Sequence, residues 1–111
     1  MNIDGYWGID TTKGIQAWLG LPQTGCIYDQ WSDNKQSGLT SGWYWNYSAI
    51  GDDTIRGLQR KLGTYVDGIF GYVDICALQS RIGTPVDGVL SARSPCIMEI
   101  QRKLTNYGKL W

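Results

Sequence analysis

Four short stretches of this chain repeat one another: IQAWLG at 15–20, LQRKLG at 58–63, LQSRIG at 78–83 and IQRKLT at 100–105. Each lies in a longer apolar register. Ile55, Leu58 and Leu62 stand three and seven apart, as do Ile75, Leu78 and Ile82, and Ile97, Ile100 and Leu104. In the first copy the series is Thr12, Ile15 and Leu19. This spacing lines one face of an α-helix. A face so narrow buries little alone, so each helix needs partners and the chain is expected to fold as an array of units. The helix ends agree. Ser94 before Pro95, the pair Asp52 and Asp53, and Asp10 suit N-termini. Gly20, Gly63 and Gly83 follow the last apolar position, where a left-handed residue ends a helix.

A second element repeats between the helices. GTYVDGIFG at 63–71 matches GTPVDGVLS at 83–91, GLPQTGCI at 20–27 is a weaker copy, and IDGYWG at 3–8 is another. Asp-Gly reads as a tight turn, because Asp bonds nearby amides and Gly takes positive φ. Asp4, Gly5, Asp67, Gly68, Asp87 and Gly88 are therefore assigned structural roles. Trp7 aligns with Phe70 and Leu90 and is expected in the core; Tyr6 aligns with Ile69 and Val89, at its rim. Gln16, Gln59, Gln79 and Gln101 follow the central apolar residue of each helix and are expected to tie the neighbouring turn's amides and carbonyls.

The organisation that follows is mainly α. Residues 48–111 read as a three-helix bundle with two Asp-Gly loops. Residues 1–47 read as a half-repeat carrying an aromatic-rich insertion, expected as an ordered β-hairpin around Ser41 and Gly42. The opening turn lacks the helix that precedes the other turns. The 26–50 stretch, a second chain or a further domain is expected to cover it.

Composition narrows the chemistry. No histidine is present, which removes Ser-His-Asp, Cys-His and His-zinc catalysis within the chain. Ten basic and ten acidic residues balance, giving no electrostatic case for nucleic acid or an anionic membrane. Three cysteines without a CxxC pair suit neither a zinc site nor a disulfide framework, so neither metal nor cofactor is expected. They favour synthesis in a reducing compartment, and no secretory signal follows Met1. No apolar run approaches the ~20 residues of a membrane-spanning helix.

The segments VDGIFG…ALQSRIG and VDGVLS…IQRKL resemble the peptidoglycan-binding modules of phage endolysins and bacterial cell-wall hydrolases, with their DGxxG loop, Leu-Gln helix and following Leu-Gly. Residues 48–111 match that unit end to end and residues 3–27 match half of it. The middle stretch resembles the aromatic insertions of endolysin wall-binding regions. Thr24 in place of Asp and Ser91 in place of the closing Gly depart from the pattern. The resemblance implies a compact three-helix fold and a non-enzymatic C-terminal wall-binding region. It also implies an N-terminal catalytic domain in the full-length protein. The chain would be made in the host cytoplasm and act at the bacterial wall.

Binding peptidoglycan asks for rings that stack on sugars and for groups that meet amides and carboxylates. Tyr6, Trp18, Trp31, Trp43, Trp45 and Tyr47 are the candidate stacking residues, with Arg56 and Arg81 for carboxylates. Strand alternation would place Trp43, Trp45 and Tyr47 on one face and Tyr44 on the other. Trp18 stands where the other helices carry Lys61, Arg81 and Lys103, so exposure is expected there. The Asp-Gly carboxylates make a poor acid-base pair because identical turns recur. Three rival functions are weighed: a small two-carboxylate glycosidase, an oligomerisation module forming a homodimer through the opening turn, and a choline- or secondary-polymer-binding module suggested by GWYWNY.

Overall fold

The computed structural model describes every residue, Met1–Trp111. Helix α1 (Ile9–Leu19) is followed by strands β1 (Ile27–Trp31) and β2 (Trp43–Asn46), then by α2 (Asp53–Leu62), α3 (Tyr72–Ile82) and α4 (Pro95–Tyr107). The apolar registers become the buried faces: Ile15 of α1, Ile55 and Leu58 of α2, Ile75 and Leu78 of α3, Ile97 and Ile100 of α4. Asp52 accepts the Thr54 N–H at 2.8 Å and Ser94 the Ile97 N–H at 3.2 Å, capping α2 and α4.

The helices close into a ring. Helix α1 packs on α2, α2 on α3, α3 on α4, and α4 returns to α1. The opening turn is therefore covered from two sides: the chain's own α4 takes the place of the missing helix, and the insertion, as expected, lies against it, the Trp7 N–H donating to the Gly38 carbonyl at 2.7 Å. Contacts at the turn are tight. A Cβ on Gly5, whose φ is +79°, would lie 2.6 Å from the Arg93 backbone, so only glycine fits.

One polar rule holds each unit. The Gln59 carbonyl oxygen accepts the Asp67 and Gly68 N–H groups at 3.1 and 2.9 Å, while its amide nitrogen donates to Asp67 Oδ1 and the Ile69 carbonyl. Gln79 repeats this with Asp87, Gly88 and Val89. Gln16 does so with Gly25, Thr24 Oγ1 and the Cys26 carbonyl. Gln101 holds Gly5, Asp4 and Tyr6 from the far end of the chain. All four glutamines are at most 3% exposed, and each spends both ends of its amide on the turn. Thr24 replaces Asp without loss, since its hydroxyl accepts the Cys26 N–H as Asp4 accepts that of Tyr6. Gln16, Gln59 and Gln101 also reach Thr54, Asp74 and Thr11 on the next helix. In the remaining unit Cys96 occupies the aligned position. The Thr84 hydroxyl is buried there near the Cys96 thiol, without an oxygen or nitrogen partner.

The expected mainly α three-helix bundle is corrected. Four helices accompany a two-stranded parallel sheet, a mixed α/β fold. The expected hairpin fails for a physical reason. Parallel strands need a crossover, and residues 32–42 supply it, opening with a 3-10 turn at Ser32–Asn34. Gly42 leads into β2, and its carbonyl accepts the Ile27 N–H at 2.8 Å.

That crossover runs where the four units converge. Trp7, Ile27, Phe70 and Leu90 each follow a turn glycine by two positions, and all are at most 1% exposed. Burial would orphan their N–H groups. The insertion supplies every acceptor: the Gly38 carbonyl for Trp7, the Gly42 carbonyl for Ile27, Gln30 Oε1 for Phe70 and Gln36 Oε1 for Leu90. Trp43 fills the centre, edge-on to Trp7 at 5.2 Å, its indole N–H donating to the Trp7 carbonyl at 3.0 Å. One hydrophobic cluster thus draws on both sides of residue 47.

Candidate functional site

The insertion has a second face, turned outward. Strand β1 pairs Ile27 with Trp43 and Gln30 with Trp45; between them the register slips, leaving Tyr28 and Asp29 in a bulge. Asp29 takes φ +53°, a left-handed conformation that costs a non-glycine residue about 1 kcal/mol. The Gly51 N–H bonds its carbonyl at 3.3 Å, and Asn46 Nδ2 donates to its Oδ1 at 3.0 Å. In order along the strands, an aromatic pair precedes this polar pair and another follows it. Tyr28 and Tyr44 stack with centroids 5.0 Å apart and planes at 14°; Trp31 and Tyr47 meet edge-on at 5.7 Å. Tyr28 is 49% exposed, Tyr44 51% and Tyr47 70%, far more than hydrophobic packing explains. The Tyr28 phenol is held above the usual tyrosine range, chiefly by a hydrogen bond with the Cys26 side chain, so it stays protonated at neutral pH.

The expected site residues separate into groups. Trp31 and Tyr47 lie together on the outward strip. Trp43 is corrected from ligand contact to core: it is 6% exposed and locked between Trp7 and Phe70. The alternation is right for Trp43 and Trp45, which stack at 5.5 Å, with Tyr44 on the opposite face. Tyr47 departs from it, because it lies beyond the end of β2 and joins Trp31 instead. Tyr6 is half-buried at the rim of a cavity of about 390 Å³ lined by Asp4, Asp10, Thr40, Ser41 and Gln101. Arg56 is occupied, paired with Asp53 at 2.9 Å and donating to the Ile50 carbonyl at 2.7 Å.

Trp18 is half-buried rather than exposed. It meets Trp111 edge-on at 5.0 Å, with Lys61 Nζ 5.1 Å from its ring and Arg81 4.4 Å from that of Trp111. Trp18, Lys61 and Arg81 occupy aligned positions on three helices and converge on the chain's last residue. This cluster closes one end of the ring and lies apart from the outward strip.

The turn carboxylates are engaged in structure. The Tyr6 N–H, then Gln101, hold Asp4 below the usual carboxylate range; Gln79, then the Val89 N–H, do the same for Asp87. Burial pushes the Cys96 thiol up to about 11, which leaves it neutral and unreactive. No group of histidine, cysteine, aspartate and glutamate side chains is arranged to hold a metal ion.

Sequence reasoning passed over Tyr28, Asp29 and Asn46, and placed Tyr44 on the face opposite Trp43 and Trp45. No sequence pattern marked the three passed over, because the bulge that presents Tyr28 and Asp29 is set by the register of β1 against β2. Searches against protein-family models, characterised proteins and solved structures found nothing that matches this chain.

Proposed function

We propose that this chain is a non-catalytic module that binds bacterial peptidoglycan and holds a larger cell-wall hydrolase, of the phage endolysin or autolysin kind, at the wall. The observation that carries this reading is the outward strip of Tyr28, Tyr44, Trp31 and Tyr47. These rings add little to the core, yet they are mounted on a segment pinned to all four units. Exposed rings fixed on a rigid support are what stacking on a polymer requires. The likeness of the Asp-Gly and Leu-Gln repeats to peptidoglycan-binding modules supplies the ligand class. Asp4, Asp67 and Asp87 all bond their own turns, which favours binding over acid-base catalysis.

The test is co-sedimentation with purified murein sacculi of several chemotypes. The chain is expected in the pellet, and the triple variant Tyr28→Ala, Tyr44→Ala, Tyr47→Ala in the supernatant with its unfolding midpoint retained. Failure of the unaltered chain to sediment with any murein overturns the reading. Clearing of a wall suspension by this chain alone overturns its non-catalytic part.

A further inference from the structure

The outward strip has an order that a general sticky patch lacks. A stacked tyrosine pair comes first, then a carboxylate beside an amide, then an edge-on tryptophan and tyrosine. Asp29 Oδ1 accepts from Asn46, and its other carboxylate oxygen makes no bond within the chain. Asn46 offers its carbonyl to the Ser48 N–H at 2.9 Å, which fixes the orientation of the amide. Bulges re-aim side chains next to sites, and a strained left-handed aspartate persists only where its surroundings hold it. Here the Gly51 N–H and Asn46 hold it, and along the paired strands it falls between the Tyr28–Tyr44 pair and the Trp31–Tyr47 pair.

Charge decides between the two halves of peptidoglycan. A stem peptide carries carboxylates and needs a cation. The strip has none: Arg56, the nearby guanidinium, is spent on Asp53 and the Ile50 carbonyl. Asp29 and Asp52, whose Oδ2 accepts the Tyr28 N–H at 3.0 Å, would repel an anion. A sugar ring needs what is present: a flat apolar face for its C–H bonds, and an acceptor beside it for hydroxyl or acetamido N–H groups.

We propose that Tyr28, Tyr44, Asp29, Asn46, Trp31 and Tyr47 form a carbohydrate subsite for the wall's glycan strand. One pyranose lies on the tyrosine pair with a hydroxyl or amide hydrogen donated to Asp29, and the strand continues over Trp31 and Tyr47. This rests on the peptidoglycan-binding reading and adds which part of the polymer is gripped.

The experiment titrates the chain, followed by nitrogen–proton NMR, with three probes: murein glycan strands stripped of peptide and with their freed lactyl carboxyls converted to amides, chitohexaose, and a free stem tetrapeptide. Sacculi sedimentation runs in parallel. Stripped glycan and chitohexaose are expected to shift the Tyr28–Trp31 and Trp43–Asn46 amides; the tetrapeptide is expected to shift none of them. Asp29→Asn keeps a residue tolerant of positive φ and removes the charged acceptor, so glycan affinity should fall about tenfold. Tyr44→Ala should lose a similar factor, while Tyr44→Phe, which keeps the ring, should stay within about twofold. Unchanged unfolding midpoints exclude misfolding as the cause. Sacculi bound while stripped glycan is ignored overturns the subsite and leaves the broader reading standing. Full glycan affinity in Asp29→Asn also overturns it. Neither sacculi nor glycan bound overturns both.

Discussion

The ring and the insertion solve the same problem in opposite ways. In the ring, one device is used at every unit: a buried glutamine satisfies a turn two helical turns or more away in sequence. In the insertion no single device serves all four units. Gln30 and Gln36 act as side-chain stand-ins for a strand, while Gly38 and Gly42 offer backbone carbonyls, because each of the four convergent N–H groups arrives at a different place. The comparison teaches what each part leaves free. The ring spends its polar groups on itself. The insertion closes the ring with one face and keeps the other for the solvent side.

The sharpest test of that division sits on adjacent residues. Trp43→Ala removes a buried ring and its bond to the Trp7 carbonyl, and should cost about 3–5 kcal/mol in urea unfolding. Tyr44→Ala, one position on, should change stability by no more than about 0.5 kcal/mol. Equal losses at the two positions would break the two-faced description. Next in size is Gln59→Ala, which strands two turn N–H groups and should cost about 2–4 kcal/mol. Gln101→Ala should match it if the closing contact is equivalent to the internal ones; a loss under about 1 kcal/mol would mean that the ring is open in solution.

Smaller effects separate the units from one another. Cys96→Thr restores the hydroxyl that Thr11 and Thr54 provide in their units, and gives the Thr84 hydroxyl a partner. It should stabilise the protein by about 1 kcal/mol, read as a raised urea midpoint. A lowered midpoint would show that the thiol's volume matters more than the missing bond. The smallest effect is that of acid. Asp4 and Asp87 have folded pKa values below their unfolded ones, so their stabilisation is complete above the unfolded value of about 4. It is lost only as pH falls from there through the depressed folded values. Asp4→Asn and Asp87→Asn should each flatten the stability-against-pH curve below about pH 4 and leave its neutral plateau sloping as before.

Much of the ring was legible because its rules are local. Apolar spacing located every helix, and the place of Gln59 beside Leu58 foretold its bond to a turn eight residues on. Trp7 could be buried on paper because it aligns with Phe70. What escaped had no repeat to compare with. The parallel pairing of β1 and β2 depends on a crossover whose path is set by four N–H groups from distant segments. The ring closure depends on Gln101 meeting a turn 96 positions earlier, and the same Leu-Gln pattern gave no sign that the last helix serves the first turn. On the outward strip, Tyr47 and Trp31 were visible as candidate stacking rings. Asp29 was not, since a left-handed aspartate in a bulge is a product of pairing register rather than of sequence pattern.

The closing contact between Gln101 and the opening turn also sets an order of events during synthesis. The Asp4–Gly5 turn leaves the ribosome ahead of its partner, Gly5 preceding Gln101 by 96 residues. Loop-closure entropy grows with the logarithm of the intervening length, so this contact carries the largest such cost among the four glutamine contacts. Helices α2 and α3 with their local turns can assemble while the chain is still tethered. Trp7, at the centre of the finished core, must wait for α4 before its neighbourhood is sealed. A ribosome stalled before residue 95 would therefore hold a chain whose Trp7 remains open to chaperones, and the emergence of α4 would be the step that hides it.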